Sequence, residues 1–183
     1  ISIATEDAAI SAFHLNAINA LTSVPVDLTN VNSITASDFT DLITLNTNRS
    51  EFTNINGIST ITVTDNGDGT TSLDYGTLET LVDNYQTNFN SDVAFNFQSG
   101  DTIVVGTDSQ LSSFLVDIGS GALLLTDQSI TIDSTFPITI SQANTIDGLT
   151  TGIVTATIGN SRVSDLLGST PLLDTCLLYT SDA

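Results

Sequence analysis

The chain has 183 residues and carries 21 acids against two arginines and no lysine, for a formal net charge of −19. That length is one or two domains' worth and can bury roughly 70% of the unfolded surface, while 40% apolar residues place it at the globular norm, outside the disordered class. Arg49 and Arg162 alone give no electrostatic footprint for nucleic acid or an anionic membrane, and no apolar run approaches the ~20 residues of a transmembrane helix.

With neither an initiator Met nor a signal peptide, the chain reads as an internal piece of a longer one. Short helical segments recur along it, each opened by a residue that caps free backbone N–H groups and each carrying apolar residues at three- and four-residue spacing. The first starts at Ser11 and carries Leu15, Ile18 and Leu21; the second starts at Ser37 or Asp38 and carries Phe39, Leu42 and Ile43. A third runs from Thr77 with Leu78, Leu81 and Val82, and a fourth from Asp108 with Leu111, Phe114 and Leu115. A fifth opens at Ser141 with Ala143, Ile146 and Leu149, and a sixth, Ser164 to Leu167, is barely one turn.

Between the helices, apolar and polar residues alternate strictly. Val24, Val26 and Leu28 oppose Asp27 and Thr29; Ile61 and Val63 oppose Thr60, Thr62 and Thr64. Val93, Phe95 and Phe97 repeat the pattern, as do Leu123 and Leu125, Ile130 and Ile132, and Val154, Ala156 and Ile158. A period of two with β-branched residues means strands with one face on a core and one in water. Helical crossovers between such strands favour parallel pairing, and the polar strand faces place helices on one side of the sheet only.

Ile58 to Asp65 and Thr70 to Tyr75 flank Asn66-Gly67-Asp68-Gly69, which reads as a β-hairpin with a turn needing positive φ. The sharper alternative is a calcium loop offering the hard oxygens of Asp65, Asp68 and Asp74. The EF-hand register fails there, since Thr64 and Tyr75 would occupy its first and twelfth positions. Asp127 with Asp133 is a second pair that could place carboxylates on one edge. Ser99-Gly100-Asp101-Thr102-Ile103 matches the tail of a calcium-binding nonapeptide but lacks its Gly-Gly start, and a turn into the next strand explains it. The Thr-x-Thr runs at 60–64 and 155–157 read as sheet-surface threonines, because an ice-binding ladder needs constant coil spacing.

Catalytic constellations are not found. The sole histidine, His14, lies in the first helix, and no Gly-x-Ser-x-Gly elbow accompanies it. The 18 aspartates fall at turns, caps and strand outer faces, not in the apolar pocket that a raised-pKa acid requires. No phosphate-cradling glycine loop is present. The chain is expected not to be an enzyme.

The segment 10–23 mirrors 140–151: Ile10-Ser11 and Asn16-Ala17-Ile18-Asn19-Ala20-Leu21 answer Ile140-Ser141 and Asn144-Thr145-Ile146-Asp147-Gly148-Leu149. Each copy leads into a Val-rich strand and then Asn-Ser. Residues 144–156, Asn-Thr-Ile-Asp-Gly-Leu-Thr-Thr-Gly-Ile-Val-Thr-Ala, resemble the "NTIDGLTTGVVTA" unit of very large repetitive bacterial proteins, best known in marine cyanobacteria. That resemblance covers both ends well and residues 50–135 loosely. It implies a cell-surface or secreted setting and brings no catalytic residues.

Together these readings predict an α/β fold of repetitive βα units, solenoid-like, with a mostly parallel sheet, short helices on one face and one hairpin near 58–75. Residues 1–175 would form one repeat-containing region. Residues 176–183, Cys-Leu-Leu-Tyr-Thr-Ser-Asp-Ala, resemble the translation of a sequencing-library adaptor (TGT CTC TTA TAC ACA TCT GAC GCT); that would make the only cysteine foreign and end the native sequence near Thr175. The expected function is an extracellular structural or adhesive segment. Its partners would be neighbouring repeats and surface glycans, with Ca²⁺ as the one candidate cofactor, no nucleic acid and no membrane span. The alternative is a calcium- or glycan-binding module built on the Asp-rich turns.

Overall fold

The computed structural model describes residues 1–4, 7–64 and 72–159, together with the backbone of 176–179. The elements alternate along the chain: β1 (Ala9–Ser11), α1 (Ala12–Ala20), β2 (Val26–Asp27), β3 (Ser33–Ala36), α2 (Phe39–Thr47), β4 (Phe52–Thr53) and β5 (Thr60–Val63). They continue with β6 (Ser72–Asp74), α3 (Tyr75–Asn88), β7 (Ala94–Phe97), β8 (Thr102–Val105) and α4 (Asp108–Ser120). The last are β9 (Leu123–Leu124), β10 (Ser129–Ile132), α5 (Ile140–Asp147), β11 (Val154–Thr157) and β12 (Cys176–Tyr179). The fold is α/β, and every described strand pair is parallel.

Two five-stranded sheets carry the structure, ordered β1-β3-β5-β7-β9 and β6-β8-β10-β11-β12, with β2 and β4 forming a small third sheet. In each, spatial order follows chain order. The first sheet stacks Ile10, Ile34, Ile61, Phe95 and Leu123 in register, at steps of 24, 27, 34 and 28 residues. The second stacks Leu73, Ile103, Ile130 and Val154. These inward residues are wholly or nearly wholly buried, apart from Ile10 on the terminal strand, which is half-buried. Their neighbours Thr35, Thr62 and Asn96, or Thr131 and Thr155, are half-exposed, so the strands have the one-sided burial that the alternation predicts.

The hairpin expected near 58–75 does not form. β5 pairs with β3 and β7, β6 pairs with β8, and the two lie in different sheets. Each strand buries its apolar residues (Ile61 and Val63, or Leu73) by extending a parallel ladder, which an isolated two-stranded hairpin cannot match. The Asn-Gly turn itself lies outside the described residues, as does the sixth helical segment at 164–167. β12 places the adaptor-like tail beside β11. A Leu-Leu-Tyr run suits any open sheet edge, so this pairing reflects the edge as much as the segment.

The helices start where capping chemistry allows. Ser11 and Asp38 cap α1 and α2 as expected, but α3 is capped by Asp74 rather than Thr77, and α4 and α5 by Thr107 and Thr139. The Thr139 cap is a reciprocal box, in which the Gln142 side chain reaches back to the Thr139 N–H. α4 ends at Gly121, whose φ of 84° is the left-handed conformation that glycine adopts without strain. Adjacent helices are joined by polar contacts: the Tyr85 hydroxyl donates to the Leu42 carbonyl at 2.9 Å in a buried bond, and the half-buried Asn16 donates from Nδ2 to the Asp41 carbonyl at 2.9 Å. Tyr85 also stacks on Phe89 at 4.4 Å and meets Phe95 edge-on at 5.9 Å, filling the space between helix layer and sheet. The expected core positions Leu21 and Ile43 are 88% and 48% exposed, whereas Leu45 is wholly buried.

Candidate functional site

Of the three carboxylates proposed for calcium, Asp65 and Asp68 lie outside the described residues. Asp74 is occupied as a helix cap: its Oδ2 accepts from the backbone N–H of Thr77 at 2.8 Å and from that residue's hydroxyl at 3.0 Å. Asp127 and Asp133 flank β10, a four-residue strand that spans roughly 13 Å, so they do not converge. Asp133 Oδ1 accepts from the Thr135 N–H at 2.7 Å, and this bond holds its carboxyl below the usual range. Among the described residues no group of three His, Cys, Asp or Glu side chains could hold a metal ion. His14 is exposed at the start of α1, its Nδ1 2.7 Å from the Ser11 hydroxyl.

The densest polar chemistry lies elsewhere, at the corner where the chain passes from the first sheet to the second. Turns 98–101 and 125–128 make that passage and stack with turn 149–152, which leads from α5 into β11; among the described residues they contain three of the four buried polar side chains: Asp101, Gln128 and Thr150. Asp101 Oδ2 accepts from the Gln98 N–H at 3.0 Å. Gln128, wholly buried, donates from Nε2 to the Gln98 carbonyl at 3.2 Å and to Asp127 Oδ1 at 3.1 Å, and its Oε1 accepts from the Thr126 N–H at 2.7 Å. The Thr150 hydroxyl donates to the Gln128 carbonyl at 2.6 Å, and the Thr151 N–H to that of Thr126 at 2.8 Å. Gly152 lies so close to the Gln128 carbonyl that a Cβ there would collide with it. The Ser99 hydroxyl donates to Asp127 Oδ2 at 2.5 Å and, ahead of the Thr126 contact, lowers the Asp127 pKa.

Two further features involve the helices. The Tyr75 hydroxyl donates to Asp117 Oδ2 at 2.6 Å across α3 and α4. Burial raises the Asp117 carboxyl, the Tyr75 bond opposes this, and the charges of Asp83 and Glu79 add to it. Between α2 and α3 a cleft of about 480 Å³ is lined by Ile43, Asn46, Thr47, Thr77, Thr80 and Leu81.

Sequence reasoning missed the corner network. Its one signal was a polar residue just before each inward-facing Ile, as in Asp101-Thr102-Ile103 and Gln128-Ser129-Ile130, which reads equally as an ordinary turn. Among the described residues no helix is long and apolar enough to cross a membrane. The chain matches no protein-family model, no curated protein and no solved structure.

Proposed function

We propose that this chain is a structural or adhesive segment of a large surface or secreted protein, built as a stack of βα coils and acting without catalytic turnover. The observation that carries the reading is the agreement of strand order with chain order in both large sheets, with inward residues aligned from strand to strand. Such a stack lengthens by repetition, about 4.8 Å per coil, and suits a spacer or stalk whose partners are neighbouring repeats. Placement outside the cell rests on composition and on the repeat-like segment at 144–156: the chain has no Met or Trp, and its only cysteine lies in the adaptor-like tail.

A tandem chain of two copies of residues 1–175 tests the stack. Small-angle scattering should return one elongated particle whose maximum dimension grows with coil number. Two compact beads on a flexible tether would refute it. Thermal unfolding in Ca²⁺ and in Mg²⁺ at matched ionic strength bears on the calcium-module alternative. The spacer reading expects equal, small shifts, and a calcium-specific rise of several degrees would favour coordinated carboxylates instead.

A further inference from the structure

The Thr126-Asp127-Gln128 turn gathers a nucleophile, a base, an acyl group and an oxyanion donor within hydrogen-bonding reach. Thr126 Oγ1 is 3.4 Å from both Oε1 and Nε2 of Gln128, so the hydroxyl faces the carboxamide. It also donates to Asp127 Oδ1 at 3.2 Å, the same oxygen that accepts from Gln128 Nε2 at 3.1 Å. The Thr126 N–H holds Gln128 Oε1 at 2.7 Å, where negative charge would develop during attack. Ser99 fixes the other carboxylate oxygen of Asp127 at 2.5 Å, so the base is oriented by a third group.

We propose that this turn forms a side-chain ester between Thr126 and Gln128 in a self-catalysed reaction that happens once per chain. Thr126 Oγ1 attacks Gln128 Cδ as Asp127 takes the hydroxyl proton. The tetrahedral intermediate collapses with cleavage of the Cδ–Nε2 bond. Asp127 returns the proton to the departing nitrogen, which leaves as ammonia. Atoms balance with no oxidant or co-reactant, and Asp127 ends in the state in which it began. Burial of Gln128 keeps water from the acyl group, while Thr126 at the exposed rim leaves the ammonia a way out. Departure also breaks the Gln128 Nε2 bond to the Gln98 carbonyl. The chain contains its own control. In the α5 cap the Thr139 hydroxyl contacts Gln142 Oε1 at 2.9 Å, and the Thr139 N–H also contacts it at 2.9 Å, but among the described residues no carboxylate hydrogen-bonds to this pair to receive the proton.

Intact-mass spectrometry of the folded full-length chain tests the proposal. The expected mass is that of the sequence less one ammonia, with a linked 126–128 peptide and an unmodified 139–142 peptide on fragmentation. Mild alkali should return the mass of one water at that peptide. Thr126→Val and the isosteric Gln128→Glu should both retain their full sequence mass, with circular dichroism reporting that each is folded. Full sequence mass in the folded parent chain overturns the ester. So does an ammonia deficit that survives Thr126→Val, which would instead mark a succinimide at a site such as Asn56-Gly57.

Discussion

Asp74 shows how one carboxylate can be claimed by two chemistries, and geometry assigns it to the cap. Both recorded contacts of Oδ2 go to Thr77, so its contribution is to the first turn of α3. Asp74→Ala should cost about 1 kcal/mol in urea unfolding, the usual worth of an N-cap, by the same amount with and without calcium. Asp117 makes a pH-dependent case. Its carboxyl is raised by burial, so the folded chain holds that proton more tightly than the unfolded chain does. The resulting stabilisation is present in acid and lost as pH rises through the elevated value. Asp117→Asn keeps an oxygen for Tyr75 without the buried charge. The variant should therefore melt above the parent at about pH 7, and the gap should close below about pH 4, where carboxylates are protonated.

Among the elements, the strands have one functional face and one permissive face. Phe95 is wholly buried between Ile61 and Leu123 and meets Tyr85 edge-on, so Phe95→Ala should cost about 3–5 kcal/mol in chemical denaturation. Thr62, on the same sheet but half-exposed on the outer face, should accept Val within about 0.5 kcal/mol. Similar costs at the two positions would contradict the one-sided burial. Period-two alternation made β2, β5, β7, β10 and β11 legible in the sequence, because each carries two apolar residues on one face or extends into a neighbour that does. β1, β3 and β4 were not legible: Ala9-Ile10-Ser11 and Phe52-Thr53 are too short to show a period, and Ser33-Ile34-Thr35-Ala36 carries only one large apolar residue. The hairpin was misread because a local Asn-Gly turn signal contains nothing about the ladder each strand joins. The corner network was invisible for a related reason, since Asp101, Gln128 and Thr150 meet only once three turns that are distant in the chain come together. At that corner Gly152→Ala should destabilise by about 1–3 kcal/mol, the range for overpacking, measured by thermal melting.

For the whole molecule, charge is the dominant burden. A net charge of −19 with two arginines leaves self-repulsion nearly unopposed, and ion pairing can relieve little of it. Salt near seawater strength shortens the screening length to roughly 4 Å. Melting temperature should therefore rise between dilute buffer and about half-molar NaCl; a flat or falling trend would show that repulsion does not limit stability.

The stacking steps of 24, 27, 34 and 28 residues keep the inward residues in register although no two are equal. The sequence spacing between paired strands is thus decoupled from their alignment, and extra residues are absorbed in the connections between them. A gene encoding such a chain can gain or lose residues at these connections without shifting a side chain from one sheet face to the other. Drift in spacing is a change this architecture tolerates while the ladder that its strands build stays aligned.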